Sequence, residues 1–103
     1  MAATPVTPVP GTASVVVTGG VPVTAVPAGP NGGKITNPFS PEDQGISVAE
    51  VLYVSPVSPP GLEGNGAVFT IYPGYSWDII PGQTTPTYVN AATSGHKFSV
   101  IYY

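Results

Sequence analysis

The chain has 103 residues, a formal net charge of −3 and no cysteine, and its length fits a single domain. The lack of cysteine excludes a disulfide framework and a thiolate metal site. Lys34 and Lys97 are its only basic side chains. Because several Lys or Arg side chains act together to hold phosphate, we expect neither nucleic acid nor a membrane surface as a partner.

Proline and glycine dominate the chain, with 14 and 13 residues respectively, and they alternate with short runs of Val, Thr, Tyr and Ile. Proline and glycine interrupt helices and form turns, whereas β-branched and aromatic residues favour strands. The composition therefore predicts an all-β fold, a small β-sandwich or barrel-like module of about 6–8 short strands.

Residues 1–11 predict an extended Pro-rich arm, because proline at every second or third position disfavours both a helix and a central strand. Two interpretations of this arm are open: a disordered terminus, or a segment laid over a neighbouring subunit. Residues 12–103 are predicted to form one β domain. Within it, residues 12–30 supply low-complexity edge strands, and residues 31–103 form the best-specified core.

Eight strands are predicted between the turn signals of the domain. The second is able to pair back on the first, and Pro22 and Pro27 restrict it to a sheet edge. Residues 39–45 are predicted to form a solvated loop that contains Glu42 and Asp43, with one helical turn around residues 40–44 as the alternative. The predicted strands are residues 12–18, 21–26, 34–37, 48–54, 67–72, 75–80, 87–91 and 96–102.

The C-terminal third carries the clearest turn and core signals. Pro73-Gly74 and Pro81-Gly82 suit the two central positions of type II turns, which predicts a positive φ at Gly74 and at Gly82. Alternation with a period of two then assigns one face of each strand to the core. The predicted core residues are Phe69, Ile71, Tyr75, Trp77, Ile79, Phe98, Val100 and Tyr102.

The sequence contains few groups that could perform chemistry. His96 is the only histidine, and a triad of Ser76 or Ser94 with His96 and Asp78 can be assembled on paper only, since no nucleophile elbow accompanies it. One histidine without cysteine cannot form a zinc site, and the acidic pair in the 40–44 segment lacks the alternating ligands of a calcium loop. We therefore expect no catalytic residue, no metal ligand, no cofactor and no enzymatic activity.

The second faces of the predicted strands are not uniformly polar, which favours contact with a partner. With so few charges, such contact should rest on apolar and backbone groups. An alternative is that Trp77 and several tyrosines line a sugar-binding groove, although a core position for Trp77 is favoured. The candidate interface residues are Pro5, Pro8, Pro10, Tyr53, Tyr72, Tyr88, Ile101 and Tyr103.

Residues 31–103 resemble the small capsid decoration, or cement, proteins of tailed bacteriophages. Four motifs carry the resemblance: GGKITNP at residues 32–38, AEVLYVSPV at 49–57, IYPGYSWDIIPGQTTP at 71–86 and VNAATSGHKF at 89–98. The resemblance implies a β-rich structural protein that binds the major capsid protein on the outside of the virion. It also implies a homotrimer at local threefold positions of the shell.

These features lead to the expectation of a non-enzymatic virion protein that decorates or stabilises a phage capsid. The alternative is a carbohydrate-binding or host-attachment module of a phage tail or fibre, since Pro-Gly turns and a strand containing tryptophan also occur there.

Overall fold

A computed structural model of the chain describes residues 7–57 and 69–103, so that Pro5 and the first two residues of the predicted strand 67–72 lie outside the described residues. The described residues form ten strands and one short helix. In chain order these are β1 (Val9–Pro10), β2 (Val15–Val16), β3 (Val23–Val26), β4 (Gly33–Thr36), α1 (Pro41–Gln44), β5 (Leu52–Ser55), β6 (Phe69–Ile71), β7 (Ser76–Asp78), β8 (Thr87–Asn90), β9 (His96–Lys97) and β10 (Ser99–Tyr102).

The strands form two four-stranded antiparallel sheets and one two-stranded ribbon. The sheet with the order β1-β10-β4-β7 is called the front sheet here, and the sheet with the order β3-β8-β5-β6 the back sheet. The ribbon consists of β2 and β9. Buried side chains from both sheets share one hydrophobic cluster, which confirms the predicted small all-β, sandwich-like fold.

Residues 7–57 and 69–103 contain ten strands rather than the predicted 6–8, for two reasons. The end of the arm forms β1, and the predicted strand 96–102 is divided at Phe98. Lys97 lies opposite Val15 in the ribbon, whereas Ser99 lies opposite Thr36 in the front sheet. The Phe98 amide donates to the Ser14 carbonyl at 3.0 Å, so the chain changes partners at this residue.

The first two strands of the domain do not pair with each other. β2 pairs with β9, and β3 pairs with β8 at the edge of the back sheet. The edge position of β3, which Pro22 and Pro27 predicted, is confirmed. Local turn signals place strand ends but do not choose among partners that are distant in the chain.

Most of the predicted core residues are buried. Ile71, Ile79, Phe98 and Val100 lie in the central cluster, and Trp77 and Tyr102 are half-buried against it. Around them the cluster is completed by Val16, Ala25, Val26, Ile35, Leu52, Val54, Val89 and Ala91.

Two of the core predictions, Phe69 and Tyr75, are wrong, with 50 % and 68 % of their surface exposed respectively. Phe69 begins an edge strand, and its ring centroid lies 5.7 Å from that of Trp77, at the seam between the two sheets. Tyr75 precedes β7 and is the last residue of a turn, with its amide bonded to the Tyr72 carbonyl at 3.0 Å. The alternation of inward and outward side chains does not extend past the end of the sheet.

The turn predictions are confirmed, with φ of 84° at Gly74 and 71° at Gly82. The predicted helical turn is also present as α1, because the Ser40 hydroxyl accepts from the Asp43 amide at 3.2 Å and Gly45 ends the helix at φ 75°. Within residues 7–57 and 69–103, no helix is long and apolar enough to cross a membrane.

Candidate partner interface

Four of the predicted interface residues come together on the outer face of the front sheet. Pro10 lies opposite Ile101 in the pairing of β1 with β10, and continuing this register by one residue places Pro8 opposite Tyr103. All four side chains are exposed, Ile101 by 55 % of its surface. We call the set of Pro8, Pro10, Ile101 and Tyr103 the arm face, because half of it exists only while the arm is paired with β10.

The arm face continues into a short charged region on the same side of the sheet. Ile101 lies opposite Lys34 on the neighbouring strand β4, and Lys34 in turn lies opposite Asp78 on β7. Opposite charges at facing positions of adjacent strands attract each other. The outer front surface is therefore apolar at the β1 edge and carries a balanced pair of charges toward the β7 edge.

The prolines of the arm fit its position at a sheet edge. The Gly11 amide donates to the Val100 carbonyl at 3.1 Å, which directs the amides of residues 9 and 11 toward β10. Alternate residues of a strand direct their amides to opposite edges, so the amide positions of Pro8 and Pro10 point away from the sheet. Proline has no amide hydrogen, and the arm therefore offers no donor to a further strand at these positions. Residues 9–10 pair with β10 of the same chain. These two residues are therefore neither part of a disordered terminus nor laid over a neighbouring subunit.

Tyr53 and Tyr88, also predicted as interface residues, lie on the opposite side of the molecule. Tyr53 lies opposite Thr70, and Tyr88 lies opposite Thr24, on the outer face of the back sheet. Both tyrosines are half-buried. A single flat partner cannot contact both outer faces of a two-layer fold, so the predicted interface residues do not form one surface.

Tyr72 belongs to a third surface, an aromatic tip formed by Phe39, Tyr72 and Tyr75. These side chains are exposed by 78 %, 61 % and 68 % of their surface. The Phe39 ring lies against the turn at Gly74, where an added Cβ would be 3.1 Å from the ring carbon Cδ2. Exposed aromatic side chains are enriched in protein interfaces, so the tip is a second candidate contact surface.

The main chain of Asn37 joins the loop that carries Phe39 to the turn of residues 72–75. Its amide donates to the Tyr75 carbonyl at 3.0 Å, and its carbonyl accepts from the Gly74 amide at 2.8 Å. Beneath this junction the Asn37 side chain is fully buried. Its Nδ2 donates to the carbonyls of Ile71 and Glu50 at 2.9 and 2.8 Å, and its Oδ1 accepts from Gln44 Nε2 at 3.1 Å.

These contacts determine the tautomer of His96. Because Asn37 Nδ2 donates to two carbonyls, Asn37 Oδ1 is an acceptor, and His96 Nε2 at 2.9 Å from it carries the proton. His96 is fully buried, and its Nδ1 has no hydrogen-bond partner among the described residues. Burial lowers the pKa of the imidazole below its ordinary value of 6.5, and the negative charge of Glu50 opposes this shift.

The four residues from which a triad could be assembled on paper do not converge in the structure. Asp78 is exposed opposite Lys34, whereas His96 is fully buried. The Ser76 hydroxyl bonds to the Thr36 hydroxyl at 2.8 Å, and the Ser94 hydroxyl accepts from the Gly19 amide at 2.9 Å. His96 bonds to Asn37 instead. The histidine therefore connects strand β9 to the segment between β4 and α1.

An open cleft of about 410 Å³ lies beside the ribbon. Its ionisable lining residues are Asp43 and Lys97, and neither Trp77 nor a tyrosine contributes to it. The grouping of Trp77 with tyrosines that a sugar-binding groove requires is not present at this cleft.

The sequence interpretation missed Phe39 and misplaced Tyr75, and a local signal existed for both. Phe39 lies between Pro38 and the Ser40-Pro41 helix start, and Tyr75 directly follows a Pro-Gly turn. An aromatic residue bracketed by turn residues has no strand neighbours to cover it, which favours exposure.

In comparisons with known proteins, no protein-family model matches the chain, and neither a curated protein nor a solved structure is similar to it.

Proposed function

We propose that the protein is a non-enzymatic structural subunit that binds the outer surface of a phage capsid through its arm face. The observation that carries this proposal is the gathering of Pro8, Pro10, Ile101 and Tyr103 on one exposed face. The choice of partner, the major capsid protein, rests on the resemblance of residues 31–103 to capsid decoration proteins.

The chemistry of the arm face suits a protein surface as the ligand. The face consists of two rigid prolines, an aliphatic side chain and a tyrosine, and it contains no Lys, Arg, Asp or Glu side chain. Burial of such groups stabilises a complex in proportion to the apolar area removed from water. A proline-rich segment also loses little conformational entropy on docking.

The charge distribution predicts how binding responds to salt. The neighbouring pair Lys34 and Asp78 is balanced, so the outer front surface has no net charge of its own. Salt screens exposed charges but leaves apolar burial intact. Capsids decorated with the protein should therefore retain it equally when washed at low ionic strength and in about 1 M salt. Release by salt alone would show that the interface is electrostatic.

Co-sedimentation with capsids that lack the protein tests the interface directly. Ile101→Ser and a chain that starts at Gly11 should both lose binding, because each removes apolar surface from the arm face. Val17→Ser is a matched control, since Val17 is a similarly exposed aliphatic side chain outside both candidate surfaces. Tyr72→Ser reports on the aromatic tip and should retain binding.

Each variant is first checked for cooperative unfolding well above the assay temperature, because loss of β1 shortens the front sheet and is expected to lower the melting temperature of the chain that starts at Gly11. Equal capsid binding by wild type and Ile101→Ser contradicts the assignment of the arm face. Loss of binding in Tyr72→Ser alone moves the interface to the aromatic tip. Absence of binding by the wild-type protein overturns the capsid proposal itself.

A further inference from the structure

The edges of the two sheets differ in how they are closed against further strands. The β1 edge has prolines at its two outward amide positions, 8 and 10. At the β3 edge, the Thr12 amide donates to the Ala25 carbonyl at 2.8 Å and the Thr12 hydroxyl donates to the Thr24 carbonyl at 2.6 Å. Among the described residues, nothing similar closes the β7 edge of the front sheet.

The outward groups of β7 can be identified from its pairing with β4. The Asn37 amide donates to the Tyr75 carbonyl, and the Ile79 amide donates to the Gly33 carbonyl, both at 3.0 Å. Residues 75, 77 and 79 therefore direct their backbone groups toward β4, and Ser76 and Asp78 direct theirs away from the sheet. Both residues are exposed. The edge thus presents two amide donors and two carbonyl acceptors to solvent.

We propose that this edge binds the same edge of a second copy of the chain, forming a twofold antiparallel pair centred on Trp77. Centring on Trp77 places Ser76 of one copy opposite Asp78 of the other, and each such pair exchanges two backbone hydrogen bonds. The serine hydroxyl can also donate to the facing carboxylate. The edge is therefore complementary to itself in both hydrogen bonding and charge.

Charge favours the register centred on Trp77 over the register centred on residue 78. A pairing centred on residue 78 would place the two Asp78 carboxylates directly opposite each other, and like charges at facing positions are destabilising. Centring on Trp77 also brings the two half-buried indole rings to facing positions on the inner side of the sheet. Aromatic cross-strand pairs of this kind stabilise antiparallel sheets.

The resulting dimer has an eight-stranded front sheet in which both outer edges are β1. Since Pro8 and Pro10 remove the outward donors there, strand addition to the front sheet ends at two copies. This dimer differs from the homotrimer that the resemblance implies. Facing residues of an antiparallel pair share one side of a sheet, so the two arm faces lie on the same side of the dimer. This arrangement allows both arm faces to contact one flat partner at once.

Mass measurement in solution tests the pairing without any capsid. Sedimentation equilibrium of the full-length chain over a range of concentrations should show a reversible transition from 10.4 kDa to twice that mass. Emission from Trp77, the only tryptophan, should shift to shorter wavelength over the same concentration range as its ring is covered. A single species of monomer mass at millimolar concentration, or a transition to three chains, overturns the proposal.

Two matched substitutions at Ser76 test the register. Ser76→Glu and Ser76→Lys both remove the hydroxyl bond to Thr36, so they perturb the monomer alike. Ser76→Glu places a negative charge opposite the partner's carboxylate and should weaken dimerisation at least tenfold relative to Ser76→Lys. Equal dimerisation of the two variants overturns the register centred on Trp77.

Ser76→Pro provides a third variant, since it removes an outward donor that β4 does not use. It should abolish the dimer, and an unchanged dimer would overturn the use of this edge. The outcome is independent of the proposed function, because capsid co-sedimentation is measured separately. A monomeric Ser76→Pro variant that still binds capsids supports both proposals, whereas dimerisation of a wild-type protein that does not bind capsids contradicts the proposed function only.

Discussion

Replacing Asn37 with alanine is expected to lower the free energy of unfolding by about 2–6 kcal/mol. The substitution leaves two buried groups without the partner that Asn37 supplied: the His96 Nε2 hydrogen and the Ile71 carbonyl. A buried polar group left unpaired costs about 1–3 kcal/mol, and the sum over two groups gives the stated range. The Glu50 carbonyl is not counted, because Gln44 Nε2 also donates to it at 3.1 Å.

Urea denaturation followed by tryptophan fluorescence measures this loss. The control is Thr36→Ala, which removes a single exposed hydroxyl bond to Ser76 and should cost less than about 0.5 kcal/mol. A cost below about 1 kcal/mol for Asn37→Ala would refute the reasoning, since it would mean that water replaces both lost partners without penalty.

Asn37→Asp separates the hydrogen-bond pattern from simple packing. Aspartate has nearly the same shape but places a carboxylate oxygen against the Ile71 and Glu50 carbonyls, which lie 2.9 and 2.8 Å from the amide nitrogen that it replaces. The protonated acid can donate to one of these carbonyls, so folding should raise the pKa of the introduced carboxyl. A group of this kind contributes more stability as pH falls, and the deficit of Asn37→Asp relative to wild type should shrink from pH 7 to pH 5. A deficit that is constant with pH contradicts the assigned amide orientation.

Three further predictions concern single sites. Burial holds the pKa of His96 below 6.5, so the folded protein favours the neutral imidazole. The contribution of His96 to the free energy of unfolding should therefore be complete above pH 6.5 and decrease as pH falls below it. The melting temperature measured from pH 8 to pH 5 should show this decrease, and His96→Gln should reduce it. Gly82→Ala should lower the free energy of unfolding by about 1–2 kcal/mol through the positive φ alone, because an added Cβ meets nothing within 4 Å there. Gly74→Ala should cost more, because its Cβ must also displace the Phe39 ring. Equal costs in urea denaturation would show that this ring contact is unimportant. Trp77→Ala should cost about 2 kcal/mol, below the ~3–5 kcal/mol of a fully buried aromatic residue, and complete unfolding of the variant would contradict its half-buried position.

The fold class and the turns could be predicted from the sequence because they depend on local chemistry. Proline fixes φ, glycine accepts a positive φ, and serine caps a helix regardless of what lies elsewhere in the chain. The positive φ at Gly74 and Gly82 and the Ser40 cap of α1 follow from these properties. Inward and outward alternation was likewise correct over residues 98–101, where Phe98 and Val100 are buried and Ile101 is exposed.

Strand partners and the limits of the alternation required the tertiary structure. β3 pairs with β8 rather than with the adjacent β2, and Tyr75 is exposed because the sheet ends before it. Burial of a side chain depends on which distant strand covers it, and short strands rich in valine and threonine are compatible with several partners.

The candidate site shows the same division between local and tertiary information. The sequence alone indicated uncharged, proline-rich and aromatic contact residues, because composition determines which chemistry a surface can offer. Only the pairing of β1 with β10 placed Pro8 and Pro10 beside Ile101 and Tyr103, and only the two-layer architecture separated them from Tyr53 and Tyr88. A surface is formed by residues that are distant in the chain, so its membership depends on the long-range pairing of strands, which a one-dimensional pattern does not specify.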